Sequence, residues 1–389
     1  MKKAEIAQEH FRSVFSKDSE SVYFAHGRLE ILGNHTDHNK GLCLVAGSDL
    51  GITAGVSKRS DGIVEIASEG FEPFSFPADE LEKIPSETGT SLALAKGVLF
   101  ALRRLGYAVG GFSLAAVNDL PIGGGLSSSA AFEALIAQVI NELYNENKIP
   151  SFDLAFASQY AERIYYGKPC GILDQIGACY GGICYLDLAN PDKPIIEPLP
   201  FKLPLKVVLL QTQSSHAGLD DLYASIPNDM FAVAQTLFGK QTLREVPQED
   251  FFLTIANPTM GVSESAKLRA QHYYDENQRV LDARDAIVRN DAATFLQCVR
   301  QNAISMAGYL HNTCVPGRYE GSPQQLIDFA TPYLGGGACR LMGGGFAGSI
   351  LCFVPEKAYP NFVRAMKAHI GEENVIDASF CPGGPKRIK

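Results

Sequence analysis

The chain has 389 residues, 34 Lys and Arg against 43 Asp and Glu, a net charge of −9, and 46% apolar residues. That length and composition predict two or three domains with sizeable cores, which excludes a wholly disordered chain. The acidic balance argues against a general nucleic-acid binder, because such proteins need basic surface to displace counterions from phosphates. The amphipathic N-terminus lacks the apolar core of a signal peptide, and no apolar run approaches the length of a membrane span. We therefore expect a cytoplasmic α/β protein that binds neither nucleic acid nor a membrane.

Strands and helices alternate along the first half of the chain. Segments 21–32 and 42–56 are rich in strand-forming residues and end in turn residues, which predicts two strands. Segment 91–106 has apolar residues at helical spacing and stops at a glycine, which predicts a helix. The next predicted elements, in order, are a strand at 111–119 and helices at 130–147 and 152–166.

A proline-rich segment at 188–206 separates the two halves. An apolar strand is predicted directly after it at 207–213, followed by a long helical region at 263–310 and a strand at 349–354. We place a domain boundary within the proline-rich segment, which gives an N-terminal domain at 1–195 and a C-terminal domain at 196–389. Strands and helices mixed in both halves predict two α+β or α/β domains, with the site in the cleft between them.

A glycine loop at 121–130, PIGGGLSSSA, follows a predicted strand and opens an alanine-rich helix. Glycines let the backbone approach a ligand, and a helix N-terminus adds positive potential, so the loop is suited to hold a phosphate. The serines could instead cap the helix or ligate Mg²⁺, and the simplest reading is a tight turn with a serine cap. We favour phosphate binding. The ATP-binding candidates are Gly123, Gly124, Gly125, Leu126, Ser127, Ser128, Ser129 and Ala130.

A polar segment at 27–39 follows the first predicted strand residues and concentrates charged and amide side chains. Arg28, Asp37 and their neighbours could line a sugar site, where carboxylates and amides exchange hydrogen bonds with hydroxyls. His35 and His38 could instead be metal ligands, although an isolated HxxH pair is a weak signal. A polar turn stabilised by its own side chains is the third possibility.

Two further segments carry weaker signals. Asp174 lies in the segment GILDQ, and Glu162 lies on the preceding predicted helix. Asp174 is a candidate general base or a stabiliser of a nucleophilic hydroxyl, although a helix-capping role is the simpler explanation. The glycine-rich segment 343–348 would let backbone pass close to a ligand, or it is a tight packing turn.

Together these segments resemble the GHMP kinases and, within them, the galactokinases. The sugar signature of that family, GRxNxxGEHTDYNxG, is matched from Gly27 and Arg28 to Gly33, and then at His35, Thr36, Asp37, Asn39 and Gly41. The phosphate motif PxGxGLSSSA is matched from Pro121 to Ala130, and AExxxxGxPCGxMDQ from Ala161 to Gln175. His216 and Tyr223 keep the spacing of an HxLxxxxY pattern, and GGGFGG is matched at 343–348 with Ala347 replacing one glycine.

The resemblance implies transfer of the ATP γ-phosphoryl group to the anomeric hydroxyl of a galactose-type sugar. It assigns catalysis to Asp174 and Arg28, and it assigns Mg²⁺ to Ser128 and Glu162. It also implies an N-terminal domain like domain 2 of ribosomal protein S5, a ferredoxin-like C-terminal domain, and a monomer or weak homodimer whose partners are a sugar and ATP. The implied sugar-binding residues are Asn34, His35, Asp37, His38, Gly171 and Tyr223.

Two departures from the sugar signature of the family bear on the choice of substrate. Asn34 replaces a glutamate that lies toward the sugar 6-hydroxyl in galactokinases, and His38 replaces a tyrosine. An amide lacks the negative charge and supplies an N–H donor, so a sugar with a carboxylate at C6 would be tolerated there. Segment 305–310 also departs, and both changes are similar to galacturonokinases. The breadth of the match favours galactose as the substrate. Galacturonate or another C6-modified hexose is therefore the alternative.

Two other functional classes are weaker alternatives. Some relatives of galactokinases are sugar sensors without catalysis, and they have a shortened serine–alanine stretch in the phosphate loop. Here that stretch is intact from Ser127 to Ala130, and Arg28 and Asp174 are both present. Superfamily kinases that act on mevalonate or homoserine share the phosphate loop but lack the HTDxN segment, so they rank last.

Overall fold

The computed structural model describes residues 2–121, 124–212, 214, 218–258 and 261–389. Within these residues the chain forms two mixed layers of helix and sheet. The helices are α1 (Lys2–Phe15), α2 (Ser91–Arg104), α3 (Ser128–Asn145), α4 (Ser151–Tyr160), α5 (Leu173–Tyr180), α6 (Asp220–Phe238), α7 (Gln248–Ile255), α8 (Glu264–Arg289), α9 (Ala292–Ser305), α10 (Pro323–Ala330) and α11 (Tyr359–Ile370). The strands are β1 (Ser21–Leu32), β2 (Leu42–Lys58), β3 (Ile63–Ser68), β4 (Phe74–Pro77), β5 (Phe112–Asn118), β6 (Ile183–Asp187), β7 (Ile195–Leu199), β8 (Leu205–Gln211), β9 (Ala338–Leu341), β10 (Ser349–Pro355), β11 (Val375–Ala378) and β12 (Lys386–Arg387).

The first sheet has the strand order β12-β1-β2-β5-β3-β4, and β6 pairs with both β2 and β7. Its pairs are antiparallel except β3 with β5, which are parallel. Every residue of β1 is buried, because α3 and α5 pack against this strand and α1 packs against its neighbours. A strand covered in this way can carry buried polar side chains only where they meet partners or line a cavity.

The second sheet has the order β11-β8-β10-β9, and all its pairs are antiparallel. Alternate residues of its strands contact different cores: Leu209 and Leu351 pack into the core of the first sheet, whereas Val208 and Cys352 pack with α6 and α11. This alternation follows from the two-residue period of a strand. The second sheet therefore lies between two hydrophobic cores.

The chain returns to the first sheet at the end of the described sequence. Strand β12 pairs with β1, with Arg387 opposite Tyr23 and Lys386 opposite Phe24. The boundary at 195/196 falls inside β7, which pairs with β6 of the first sheet. That boundary stays a prediction.

Two predicted helices differ from the structure in detail. The predicted helical region 263–310 contains α8 and α9, separated where Asn290 adopts a left-handed φ of 56° and Asp291 caps α9 by accepting a bond from the Thr294 N–H. Both this region and the predicted helix at 152–166 end in a π-helical turn, at Met306–Leu310 and Ala161–Tyr166 respectively. No helix in the described residues is long and apolar enough to span a membrane.

Candidate active site

A cavity of about 370 Å³ lies where the strand β1, the start of α5, the start of α6 and the glycine turn at 343–346 meet. The cavity brings together residues from four separate predicted motifs. Of the predicted site residues, those that line it are Arg28, His35, Asp37, His38, Gly171, Asp174 and Tyr223. The cavity lies between elements of the two sheets, and the expected site in a cleft between two domains stays a prediction.

Asp174 is held in the cavity by two donors. Arg28 donates through Nε and Nη2 to Asp174 Oδ1, each at 2.7 Å, and Ser127 Oγ donates to Oδ2 at 2.7 Å. Burial alone raises the pKa of Asp174, but the Arg28 charge, the Ser127 bond and Lys168 together hold it below its ordinary value. Asp174 is therefore a carboxylate at neutral pH, and its geometry is fixed on both oxygens.

Arg28 also connects the cavity to the glycine loop at 121–130. Its Nη1 donates to the Gly125 carbonyl at 3.1 Å, and its backbone N–H donates to the Leu126 carbonyl at 2.8 Å. Ser127 has a left-handed φ of 56°, which turns the chain directly before α3 begins at Ser128. The loop and the N-terminus of α3 thus lie next to Asp174. Of the ATP-binding candidates, Gly123 lies outside the described residues; Gly124, Leu126 and Ala130 are buried, and Gly125 is half-buried.

Asp37 and Gly171 face each other across the cavity wall. A Cβ built on Gly171 would lie 2.6 Å from Asp37 Oδ2, so a larger residue at this position would displace the Asp37 carboxylate. Glycine at this position therefore lets the Asp37 carboxylate reach the cavity beside the segment that carries Asp174. The matched motifs predicted both residues, and the structure places them in contact.

An aromatic group forms the opposite wall. The rings of His35 and Tyr223 lie 5.3 Å apart, and His38 Nε2 lies 3.2 Å from the Tyr223 hydroxyl. Burial, with a smaller effect of His38, lowers the pKa of His35 to about 3, so His35 is neutral, and its Nε2 bonds the Gly344 carbonyl at 2.9 Å. Burial and the charge of Asp37 raise the pKa of Tyr223, which keeps its hydroxyl protonated.

Asn34 does not line the cavity. Its side-chain Oδ1 accepts a bond from Asn302 Nδ2 at 2.9 Å, and its backbone carbonyl lies 3.1 Å from His272 Nε2, so the residue faces α8 and α9. His35 follows with a left-handed φ of 61°, and this turn directs neighbouring side chains to different sides. The structure therefore separates Asn34 from the sugar-binding candidates with which the sequence grouped it.

Ser129, rather than Ser128, contacts Glu162. Ser129 Oγ donates to Glu162 Oε1 at 2.9 Å, whereas Ser128 is exposed on the first turn of α3. Successive residues of a helix point about 100° apart, so a shift of one position moves a hydroxyl to another face. A hydroxyl and a carboxylate are oxygen ligands of the kind that Mg²⁺ accepts, so Ser129 and Glu162 fit this ion.

Lys168 was missed by the sequence reasoning. Its Nζ donates to Glu162 Oε1 at 2.9 Å, and the residue lines the cavity near Asp174. Burial lowers the pKa of Lys168, but the charges of Glu162 and Asp174 raise it by more, so the pKa lies above its ordinary value and the ammonium stays charged. A lysine inside the matched GxPCG segment was the available signal.

Glu30 is a second missed residue of the cavity. It lies on β1 two positions after Arg28, and its carboxylate is paired with the buried Arg340 at 2.8 Å. Residues two apart on a strand share a face, so Arg28 already indicated where the Glu30 side chain points. The family signature has asparagine at this position, which was a further signal.

Two family models match the chain. The galactokinase galactose-binding signature matches residues 9–58, and the N-terminal domain of GHMP kinases matches residues 93–182. The first range contains β1 and the sugar-side residues, and the second contains the glycine loop, Glu162 and Asp174. Together the two ranges therefore include the cavity residues that the first half of the chain supplies.

Galactokinases align with nearly the whole chain. The galactokinase of Glaesserella parasuis is 29% identical over 97% of this chain and 96% of its own length. The galactokinase of Clostridium beijerinckii is 28% identical over 98% of this chain and 97% of its own length.

Solved structures show the same likeness. Lactococcus lactis galactokinase, solved complexed with galactose, has a TM-score of 0.82 and 26% identity, covering 99% of each chain. Mevalonate kinase of L. major, solved with R-mevalonate, has a TM-score of 0.63 and 16% identity over 94% of this chain and 99% of its own, which shows the fold alone.

The resemblance stated from the motifs is confirmed by the family models and by the full-length relatives. The predicted fold class, an α+β two-domain fold with an S5 domain 2-like and a ferredoxin-like domain, is confirmed by the structural match. The chain therefore carries the N-terminal domain of GHMP kinases and the galactokinase galactose-binding signature, and it is similar to galactokinases over nearly its whole length.

Proposed function

We propose that this chain is a sugar-1-kinase that transfers the γ-phosphoryl group of ATP to the anomeric hydroxyl of galactose. The observation that carries the proposal is Asp174, an ionised carboxylate fixed by Arg28 and Ser127 between the cavity and the glycine loop. A hydroxyl placed against this carboxylate lies next to a backbone loop suited to phosphates. The full-length likeness to galactokinases supports galactose as the acceptor.

Asp174 orients the acceptor hydroxyl and takes its proton. Because its pKa lies below the ordinary value, Asp174 is a weak base, so the proton moves to it only as the new P–O bond forms. Arg28 stabilises both the carboxylate and the developing charge on the sugar oxygen from the same position. Asp37, with His35 and Tyr223 beside it, binds the other sugar hydroxyls and fixes the ring.

The phosphates bind at the glycine loop and at the N-terminus of α3. Ser129 and Glu162 would hold Mg²⁺, which when bound would neutralise charge on the nucleotide phosphates. Lys168 adds a positive charge on the cavity side of Glu162, where phosphate oxygens approach. The backbone of the loop and the helix N-terminus supply further N–H donors.

Galacturonate is the less favoured acceptor. Asn34 would favour galacturonate only by contacting the sugar, yet the Asn34 side chain is bonded to Asn302 and does not line the cavity. The sensor alternative is also less favoured, because Asp174, Arg28 and Ser127 form a connected set that binding alone does not require.

The test is ATP turnover by the purified protein with Mg²⁺ and galactose, galacturonate, N-acetylgalactosamine or glucose. We expect ADP release with galactose and a phosphate attached at C1, read by phosphorus NMR. 1,5-Anhydrogalactitol, which lacks the anomeric hydroxyl, is the matched control and should give no turnover. Galactose binding without ADP release would favour the sensor function. Turnover with galacturonate alone would show that galacturonate, and not galactose, is the substrate.

A further inference from the structure

Glu30 is a buried carboxylate at the wall of the sugar cavity. Its residue is only 7% exposed, and the apolar neighbours Leu29 and Ile31 are fully buried on the other face of β1. Glu30 shares the inner face of β1 with Arg28, and both line the cavity. A carboxylate in such a position needs hydrogen-bond or ion-pair partners, because removing a charged group from water without them costs free energy.

Arg340 supplies one partner from behind. Its Nη2 donates to Glu30 Oε1 at 2.8 Å, while its Nη1 donates to the carbonyls of Glu30 and Ile31 at 2.7 and 3.0 Å. Arg340 is fully buried and does not line the cavity, so a ligand there meets the carboxylate and not the guanidinium. Among the described residues, no donor bonds the second oxygen, Glu30 Oε2.

The chain has exchanged the positions of a carboxylate and an amide. The family signature GRxNxxGEH has asparagine at the position of Glu30 and glutamate at that of Asn34, whereas this chain reads GRLEILGNH. In the structure Asn34 turns to Asn302, and Glu30 faces the cavity. The loss of negative charge at position 34 is therefore offset at position 30, inside the cavity itself.

We propose that Glu30 determines the substrate specificity of this cavity, accepting a hydrogen bond from a neutral hexose hydroxyl and excluding sugars that carry a carboxylate. The inference rests on the proposed sugar-kinase function. A hydroxyl supplies the donor that Glu30 Oε2 lacks, whereas a carboxylate brings a like charge and no donor. Asp37 lines the same cavity and adds to this repulsion, whereas the charge of Asp174 is paired with Arg28.

The test compares kcat/KM for galactose and galacturonate in the wild type and in Glu30→Gln. We expect the wild type to prefer galactose by about 100-fold or more, and Glu30→Gln to narrow that ratio by about tenfold or more, since the charge is lost and the shape is kept. The control is Asp187→Asn, which removes the carboxylate of a half-buried Asp–Arg pair, with Arg244 at 2.9 Å, outside the cavity. Its ratio should match the wild type.

A set of monodeoxygalactoses identifies the contact from the substrate side. The wild type should use one of them with a kcat/KM well below that for galactose. In Glu30→Gln this penalty in kcat/KM should be about tenfold smaller, because the substitution and the missing hydroxyl remove the same hydrogen bond. A penalty that is equal in both proteins for every deoxysugar would overturn the proposal. So would a wild type that uses galacturonate as well as galactose, or a Glu30→Gln variant with an unchanged ratio.

Glu30→Gln leaves Arg340 buried without its ion pair and is therefore at risk of not folding. Glu30→Asp is a second variant that keeps the charge. Aspartate keeps that charge but withdraws the carboxylate from the cavity, so KM for galactose should rise about fivefold or more while kcat changes less. An unchanged KM in this variant would contradict the proposal. Absence of turnover by the wild type with every sugar would instead overturn the proposed function, and this inference with it.

Discussion

At the scale of single residues, Asp174 is the group on which phosphoryl transfer depends most. Asp174→Asn removes the charge that Arg28 and Ser127 hold in place and leaves no acceptor for the sugar proton. We expect kcat to fall by about 10²- to 10⁴-fold, with a smaller change in galactose affinity. A coupled ADP assay and calorimetric titration with galactose measure the two effects. A kcat within about threefold of the wild type would contradict the role of Asp174.

The adjacent serines provide a second test at this scale. Because Ser129 contacts Glu162 and Ser128 is exposed, Ser129→Ala should raise the Mg²⁺ concentration at half-maximal rate by about tenfold or more. Ser128→Ala is the matched control and should leave the Mg²⁺ dependence within about twofold of the wild type. The measurement is the initial rate across a Mg²⁺ titration at fixed ATP. An equal shift in both variants, or a larger one in Ser128→Ala, would restore the assignment made from the motif alone.

At the scale of elements, the contact between Asp37 and the turn before α5 determines the shape of the sugar cavity. Gly171→Ala places a Cβ 2.6 Å from Asp37 Oδ2, so the carboxylate must move away. We expect KM for galactose to rise about tenfold or more, with the melting temperature little changed. Gly308→Ala is the matched control, because no atom lies within 4 Å of the added Cβ. Equal KM values for the two variants would show that Asp37 is not positioned by this contact.

The sequence predicted elements well where pattern and local chemistry agree. Strand β1 spans the predicted residues 21–32, and α8 and α9 lie inside the predicted helical region, which the cap at Asp291 divides. The π-helical turns were not predicted, because hydrophobic spacing does not distinguish a π turn from the end of an α-helix.

The same limit applies to the candidate site. Motif order grouped Arg28, Asp174 and Asp37, and these three residues line one cavity because the elements that carry them meet in the fold. Which side chain of a turn or of a first helical turn faces a ligand depends on backbone dihedral angles that one sequence does not specify. This is why Asn34 was grouped with the cavity, why Ser128 was chosen over Ser129, and why Glu30 was missed.

At the scale of the whole molecule, a buried polar network joins the turn after β1 to α8 and α9 and makes stability depend on pH. His272 on α8 bonds the Asn34 carbonyl and the Ser305 hydroxyl, and burial lowers its pKa to about 4. Burial raises the pKa of Glu276, but Arg279, His272 and their hydrogen-bonding neighbours lower it to about 2. Both pKa values lie below those of the unfolded chain, so for both groups the unfolded state binds more protons in acid.

The stability from His272 is therefore fully present above about pH 6.5 and is lost as the pH falls toward 4. That from Glu276 is present above about pH 4.5 and is lost toward pH 2. We expect the free energy of unfolding to fall by about 1 to 2 kcal/mol per buried histidine between pH 7.5 and 5, as measured by urea denaturation. His35, whose pKa is also lowered, to about 3, acts in the same direction. Equal or greater stability at pH 5 would contradict this account.

Strand β12 has a consequence for how the protein is made. It pairs with β1, the strand that carries Arg28 and Glu30, and the Val22 N–H donates to the Lys389 carbonyl at 2.9 Å. During synthesis β1 is translated early and β12 late. The edge of β1 that pairs with β12 therefore stays unpaired until the intervening helices and the second sheet have been translated. An uncovered strand edge is a template for pairing with other chains. Nascent chains arrested before residue 386 should therefore depend more on chaperones than the released protein does.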